Sequence, residues 1–378
     1  MGLFVLTEEQ KDFQALAHEF AEKEIRPISA EFDRAGEIPW DTLKKAADAG
    51  FFATGFPVEY GGLGLSYVTQ SLIVEQMAWG DAGFNSCITA SMLGSKPILL
   101  AGSEEQKRYA ADIVLSGGLA SFALTEPNAG SDSAAITTTA VKKADGYVIN
   151  GRKCFITNGP YAQFYTVLAK TDPSQGARGI SAFLVERERE GVSVGKHEDK
   201  MGVRLASASD VIFEDVFVPA KNLIGVENKG FKLAMQTLNM TRGTVAAGAV
   251  GVAQAALDHA VKYAKERITF GKPIGQHQGL QFMLADMEIQ IQAARSLILH
   301  AAELVDAGQG SPSVTACAKA MASDTAMKVT TDAVQILGGY GYSREYPVEK
   351  LMRDAKLYQI FEGTNQIQRV VIGGALLK

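Results

Sequence analysis

Apolar and polar positions change rhythm twice along this chain. In "LTEEQKDFQALAHEFAEKEI" Phe13, Leu16, Ala17, Phe20 and Ile25 recur at helical spacing, Thr7 and Gln10 have the spacing of a capping box, and Pro27 marks the expected end. The stretches "WDTLKKAADAG", "VTQSLIVEQMAWG", "NSCITASMLGSKPILLAG" and "SEEQKRYAADIVLSG" read the same way, each closed by a Gly suited to a left-handed helix end. Residues 1–117 are therefore predicted as a helical unit.

Near Gly118 the period shortens to two. "LASFALTE", "GYVINGRKCFITNG", "FYTVLAKT", "GISAFLVER" and "SDVIFEDVFVP" are rich in β-branched and aromatic residues, and Asp145-Gly146 and Asn150-Gly151 are hairpin signals. This predicts an antiparallel β unit over 118–228, in which "GKHEDKMGVRLASASD" is a solvated connection. From Lys229 the helical period returns, with apolar residues on more than one stripe of each long segment, as in a four-helix bundle over 229–378. The fold class is thus α+β and multidomain, in the order helices, β unit, helical bundle.

Composition narrows the function. The 378 residues are 47% hydrophobic and 21% charged, and the net charge of −5 comes without a Lys/Arg cluster, which argues against a nucleic-acid partner. Cys87, Cys154 and Cys317 are too few and too scattered for a disulfide framework, and the five His form no metal motif. The loop "EYGGLGL" follows no strand, so its G-x-G is not a dinucleotide fingerprint. No basic leader and no run of eighteen apolar residues is found, giving the expectation of a soluble cytoplasmic protein, with a processed mitochondrial-matrix form as the alternative.

Three stretches could carry chemistry. In "YQIFEGTNQIQR" Glu362 follows an apolar run; a carboxylate there serves as a helix cap or ion-pair member, or as a base whose pKa desolvation has raised. In "FALTEPNAGSD" a strand ends in a turn whose backbone N–H groups suit an anion, although a plain surface loop has the same composition. In "CFITNG" Phe155 and Thr157 would share a strand face, as core packing or as a platform for a flat cofactor.

Together "FALTEPNAGSD", "NGRKCFITNG", "YAKERITFGKPI", "AVQILGGYGYSREYPVEKLMRDAK" and "YQIFEGTNQIQR" resemble, in order and over nearly the whole chain, the acyl-CoA dehydrogenase family, its short- and medium-chain, butyryl-CoA dehydrogenase-like members in particular. The resemblance implies FAD and α,β-dehydrogenation of an acyl-CoA to the trans-2-enoyl-CoA. In that reading Glu362 is the α-proton base, Arg242 positions its loop, and the Glu362 N–H helps polarise the thioester carbonyl. Phe122, Leu124, Thr125, Phe155 and Thr157 would line the flavin, with Thr157 near N5, while Ser131 would bind phosphate or the pantetheine side of the substrate. Arg267, Thr269 and Phe270, with Gln335, Gly338 and Gly339, would hold the adenine half of FAD from a neighbouring subunit, and Thr364 and Gln366 would close over its pyrophosphate side. Electrons would pass to electron-transfer flavoprotein, and the assembly would be a homo-oligomer, a dimer of dimers.

Departures from the family pattern sharpen the expectation. One branch carries its glutamate on the first long helix of the bundle, where this chain has Thr241; Phe361 stands where Tyr is common and Phe155 where Trp is usual, and "RLASASD" alters another segment. The acyl group would meet Thr89, Met92, Phe361 and Gly363, and no Arg in "CITASMLGSKP" is available for a distal carboxylate, which disfavours a dicarboxylic acyl group. A short or medium straight chain is expected, a branched or alicyclic one being the alternative. Further alternatives are an acyl-CoA oxidase and a helical scaffold without turnover.

Overall fold

The computed structural model describes residues 5–377. The first helix, Glu8–Phe20, begins in the anticipated capping box, with Gln10 N donating to Thr7 Oγ1 at 3.2 Å and Thr7 N to Gln10 Oε1 at 3.0 Å. Pro27 does not end the helical path. A π-helical turn, Ala21–Ile25, precedes it, and Pro27 falls in the first turn of the next helix, Arg26–Ala35, where its missing N–H has little cost. Of the four expected glycine ends, Gly50 (φ 84°) and Gly117 (φ 89°) are left-handed. Gly80 instead lies within a helix, where a Cβ would sit 3.0 Å from the Ala21 methyl, and Gly102 is extended.

Residues 116–119 lead into a sheet of eight strands. Its path runs Val192–His197, Ala208–Pro219, Gly146–Thr157, Thr139–Lys143, Phe164–Lys170, Ile180–Glu186 and Leu223–Ile224. The sheet is mixed rather than purely antiparallel, because Ala120–Ala123 runs parallel to Phe164–Lys170 in register Ala120 to Phe164. Local hairpin signals announce antiparallel neighbours, whereas a parallel pair needs a long crossover that no short motif marks. Asp145-Gly146 does close a hairpin, but Asn150-Gly151 forms a bulge inside a strand, where a Cβ on Gly151 would lie 2.3 Å from Thr138 Oγ1. Alternate residues face two cores: Phe164 and Leu168 join the helices, while Tyr165 and Val167 pack with Phe183 and Phe213.

The connection read as solvated is structured. It begins inside the strand Val192–His197 and ends inside the strand Ala208–Pro219, and between them Val203, Leu205 and Ala206 are buried. Val203 N donates to Asp354, whose carboxylate also takes Lys350 Nζ at 2.6 Å, and Lys350 reaches Asp81 at 2.7 Å. This buried cluster ties the first helices and the β unit to the helix Val348–Tyr358, which leads into the Glu362 loop.

Three long helices, Gly230–Glu266, Gln278–Asp306 and Pro312–Leu337, form the body of the bundle, joined by Val348–Tyr358 and Asn365–Leu376. The helix Tyr67–Gly80 packs against the first of them closely enough that a Cβ on Gly251 would lie 2.0 Å from the Glu75 carbonyl oxygen. Arg295 clamps Glu75 through Nε and Nη2. We propose to keep the division at 1–117, 118–228 and 229–378; its outermost residues, 1–4 and Lys378, lie outside the described ones. Among the described residues no helix is long and apolar enough to cross a membrane.

Candidate active site

Residues 359–364 join the last two helices, and their path sets the position of Glu362. Ile360 N and Phe361 N still donate to Leu357 O, after which Glu362 (φ 55°) and Gly363 (φ 89°) both turn left-handed. Two such residues in succession reverse the chain, and at a non-glycine residue this conformation is strained. The turn is held from below: Lys319, a fully buried lysine on Pro312–Leu337, donates to Gly363 O at 2.7 Å and to Asn365 Oδ1 at 3.0 Å. Gln368 Nε2 adds a bond to Gly363 O at 2.8 Å, and Asp324 receives Asn365 Nδ2 at 2.7 Å.

The Glu362 carboxylate faces the long helix Gly230–Glu266. Thr241 Oγ1 donates to its Oε2 at 3.4 Å, and the neighbouring Arg242 is buried with Nη1 on Asn239 Oδ1 at 2.9 Å and Nε without a partner. Burial pushes the Glu362 carboxyl up to about 7, against the opposing pull of Arg242, Thr241 and Lys319. Burial likewise pulls Lys319 down to about 8.

Glu362 lies at the junction of two cavities. The wider, about 450 Å³, is lined on one side by Phe122, Leu124, Thr125, Ser131, Phe155 and Thr157, and on the other by Asn239, Arg242, Phe361 and Gly363. Phe155 is 67% exposed and has φ 54°, at a bulge where the strand slips between Lys153 and Ile156. Two of the seven non-glycine residues with positive φ among the described ones, Phe155 and Glu362, thus line one cleft. The backbone under Phe155 is fixed by the buried pair Lys153–Glu126 at 2.8 Å, and Lys153 Nζ also donates to Leu124 O. Burial would raise the Glu126 carboxyl, but Lys153 and hydrogen bonds from Thr138 and Thr137 bring it down to about 2. This pair explains the Glu and Lys of the two sequence motifs as architecture.

The narrower cavity, about 60 Å³, runs from Glu362, Thr241 and Thr89 past Leu93 and Met92 to Gln70, Tyr67, Lys96 and Leu99. A third, separate cleft is lined by Arg267, Thr269, Gly338, Gly339 and Tyr340. Arg242 and Arg267 are 25 residues apart on and just beyond one continuous helix, so about 37 Å separates these two sites at 1.5 Å per residue.

The sequence-derived residues therefore fall into three groups. Glu362, Arg242, Phe122, Leu124, Thr125, Ser131, Phe155, Thr157, Thr89, Phe361 and Gly363 converge on the wider cavity, and Met92 joins the narrower one. Arg267, Thr269, Gly338 and Gly339 form the remote cleft. Phe270, Gln335, Thr364 and Gln366 line none of these. Phe270 is 95% exposed, and Thr364 caps the last helix through Ile367 N at 3.2 Å. Sequence reasoning missed Lys319, whose mid-helix position looks like a solvent-facing charge, and Lys96, passed over because only Arg was sought as a distal cation. Among the described residues no cluster of His, Cys, Asp or Glu suits a metal, and Cys87, Cys154 and Cys317 are free thiols.

Comparison with known proteins gives the family of the chain. The family profiles for the acyl-CoA dehydrogenase N-terminal, middle and C-terminal domains match residues 7–117, 121–216 and 228–377. The short-chain-specific acyl-CoA dehydrogenase of Megasphaera elsdenii is 47% identical over 384 residues, 99% of this chain and 100% of that protein. The structure of butyryl-CoA dehydrogenase from the same organism superposes with a TM-score of 0.97 at 46% identity, covering 100% of both chains. A chain from a structure of the electron transferring flavoprotein of Acidaminococcus fermentans gives 0.98 at 48% identity, again over 100% of both. The chain belongs to the acyl-CoA dehydrogenase family and is a flavin-dependent oxidoreductase.

Proposed function

We propose that the protein dehydrogenates a short- to medium-chain acyl-CoA to the trans-2-enoyl-CoA, with Glu362 as the base that removes the α-proton. One observation carries this reading: Glu362 is the sole carboxylate among the residues lining either connected cavity, at the point where they meet. A base there is reached by substrate from the wide side while the acyl tail occupies the narrow side. Its pKa of about 7 suits proton abstraction near neutrality. No described residue accepts a hydrogen bond from the Glu362 backbone N–H, which leaves it free to polarise the thioester carbonyl.

The wider cavity fits a flavin. The exposed face of Phe155 offers a flat apolar surface, and the Thr125 and Thr157 hydroxyls have no protein partner, so they can bond the edge of a ring. When bound, FAD supplies the acceptor for the hydride leaving the β-carbon. Phe122 and Leu124 exclude water on that side, Arg242 and Lys319 hold the Glu362 loop, and Ser131 sits in the exposed turn at the cavity mouth.

Arg267, Thr269, Gly338 and Gly339 line a cleft separate from the one lined by Phe155 and Thr157. They would bind the adenine half of a cofactor seated in a second copy of the chain, with Phe270 and Gln335 beside them. The exposed Phe270 at the tip of a two-stranded turn is an apolar group suited to such a contact, and we read the assembly as a dimer of dimers. Thr364 and Gln366 would approach the cofactor from the Glu362 loop, and electrons would leave to electron-transfer flavoprotein.

The experiment is an anaerobic titration of the purified protein with a panel of acyl-CoAs, read by bleaching of the flavin, followed by reoxidation. Bleaching by C4 to C8 thioesters and acceleration by electron-transfer flavoprotein are expected. Fast reoxidation by air with no gain from that acceptor would make the protein an oxidase, and absence of bleaching would make it a scaffold.

A further inference from the structure

The fold gives polar partners to its buried lysines Lys153, Lys319 and Lys350 and to the half-buried Lys200, but none to the half-buried Lys96. Lys153 meets Glu126, Lys350 meets Asp81 and Asp354, Lys200 donates to the carbonyls of Val203 and Ala206, and Lys319 donates to Gly363 O and Asn365 Oδ1. Lys96, at the end of the narrow cavity remote from Glu362, has no ion pair and no hydrogen bond among the described residues. Its nearest charge-complementary surface is the face of the Tyr67 ring, 5.0 Å from Nζ to the centroid.

The cavity presents this cation to whatever fills it. Thr89, Leu93 and Lys96 are spaced four and three apart on the helix Ala82–Ala101 and so share one face. Thr89 and Leu93 line both cavities, while Lys96 lines only the narrow one, about 10 Å further along the helix axis from Thr89. Around it the wall keeps unused polar capacity: the Tyr67 hydroxyl is buried with no partner, and Gln70 bonds Leu65 O through Nε2 but receives nothing at Oε1. Burial pulls the Lys96 ammonium pKa down, and no neighbouring carboxylate opposes it.

A saturated hydrocarbon tail pressed against such an ammonium would strip it of water and return nothing. We propose that the deep end of this cavity seats a carboxylate, with Lys96 as its counter-ion, so that the acyl groups taken are those of dicarboxylic acids bound as monothioesters. The claim rests on the reading above, in which the thioester lies at Glu362. It reverses the expectation drawn from the absence of Arg. The dehydrogenation itself is unchanged, since the distal carboxylate is held and not transformed: the α-proton goes to Glu362 and the β-hydride to the bound cofactor.

The test separates binding from chemistry. CoA thioethers, which lack the carbonyl and cannot be dehydrogenated, are prepared in length-matched pairs ending in methyl or in carboxylate, over total lengths of five to eight carbons. Their dissociation constants are measured by calorimetry on the flavin-loaded protein. At one or more lengths the carboxylate-ended ligand is expected to bind at least about tenfold more tightly, an advantage lost in Lys96→Met and kept in Lys96→Arg. Tighter binding of the methyl-ended ligand to the native protein at every length, or an unchanged ratio in Lys96→Met, overturns the proposal. The native ratio decides alone if a variant does not fold. Should the expected ratios be found while no acyl-CoA thioester bleaches the flavin, Lys96 stands and the Glu362 reading falls.

Discussion

Thr241 Oγ1 and Glu362 Oε2 lie 3.4 Å apart, although 121 residues separate them in sequence. The long helix and the last loop thus bring two positions to the same point of the cavity, one of them a carboxylate and the other a hydroxyl. Moving the carboxylate between them is the corresponding prediction. Glu362→Thr abolishes turnover, and the pair Thr241→Glu with Glu362→Thr recovers it by at least about tenfold over the single variant, in steady-state assays with an acyl-CoA. No recovery would mean that the two positions do not address the same α-carbon.

Lys319 governs the same carboxylate from behind. Its ammonium stabilises ionised Glu362 and its hydrogen bonds fix the Gly363 carbonyl. In Lys319→Met the Glu362 pKa therefore rises, and the acidic limb of the kcat/KM profile moves to higher pH. A merely structural lysine would lower activity without moving that limb.

The Lys153–Glu126 pair holds the strand under Phe155 to the turn that carries Ser131. Lys153→Met leaves a buried carboxylate without its cation, and a loss of about 3–5 kcal/mol is expected from denaturant unfolding. Because Glu126 in the folded chain is held low, at about 2, its contribution is present above the ordinary carboxylate value and is lost as pH falls towards 2. The difference between native and Lys153→Met is accordingly largest near neutrality and shrinks in acid.

Arg267 is exposed in the single chain and lies 5.5 Å from the Tyr340 ring centroid. If its guanidinium holds a phosphate of a cofactor seated in a second copy, Arg267→Ala loses flavin on dialysis while its oligomeric state by light scattering is unchanged. Full retention of flavin would remove Arg267 from the site.

Much of this was legible in the sequence where the signal is local. The Thr7–Gln10 capping box and the Asp145-Gly146 hairpin depend on residues within a few positions of one another. The parallel strand Ala120–Ala123, the bulge at Gly151 and the buried run at Val203 depend on partners far along the chain, and no local pattern reports them. At the candidate site, Phe155, Thr157 and Glu362 are singled out in the sequence by type and position, and the roles expected of them come from the family resemblance. Lys319 and Lys96 were not, because each occupies an ordinary helical position and only the packing shows that one is enclosed by the Glu362 turn and the other faces a cavity.

The central claim is that Glu362 removes the α-proton, and rapid mixing of Glu362→Gln with acyl-CoA under anaerobic conditions tests it most directly. Between the ordinary carboxyl value of 4.5 and about 7 the folded Glu362 holds a proton that the unfolded chain has released, so its contribution to stability falls as pH rises through that window. Glu362→Gln should therefore gain melting temperature relative to the native protein as pH rises, which shows that the variant is folded. In native protein the rate of flavin bleaching should rise with pH through about 7 as the base ionises. Glu362→Gln is expected to bind the thioester with unchanged affinity and bleach at least about a thousandfold more slowly at every pH, whereas bleaching within a few-fold of the native rate would contradict the account.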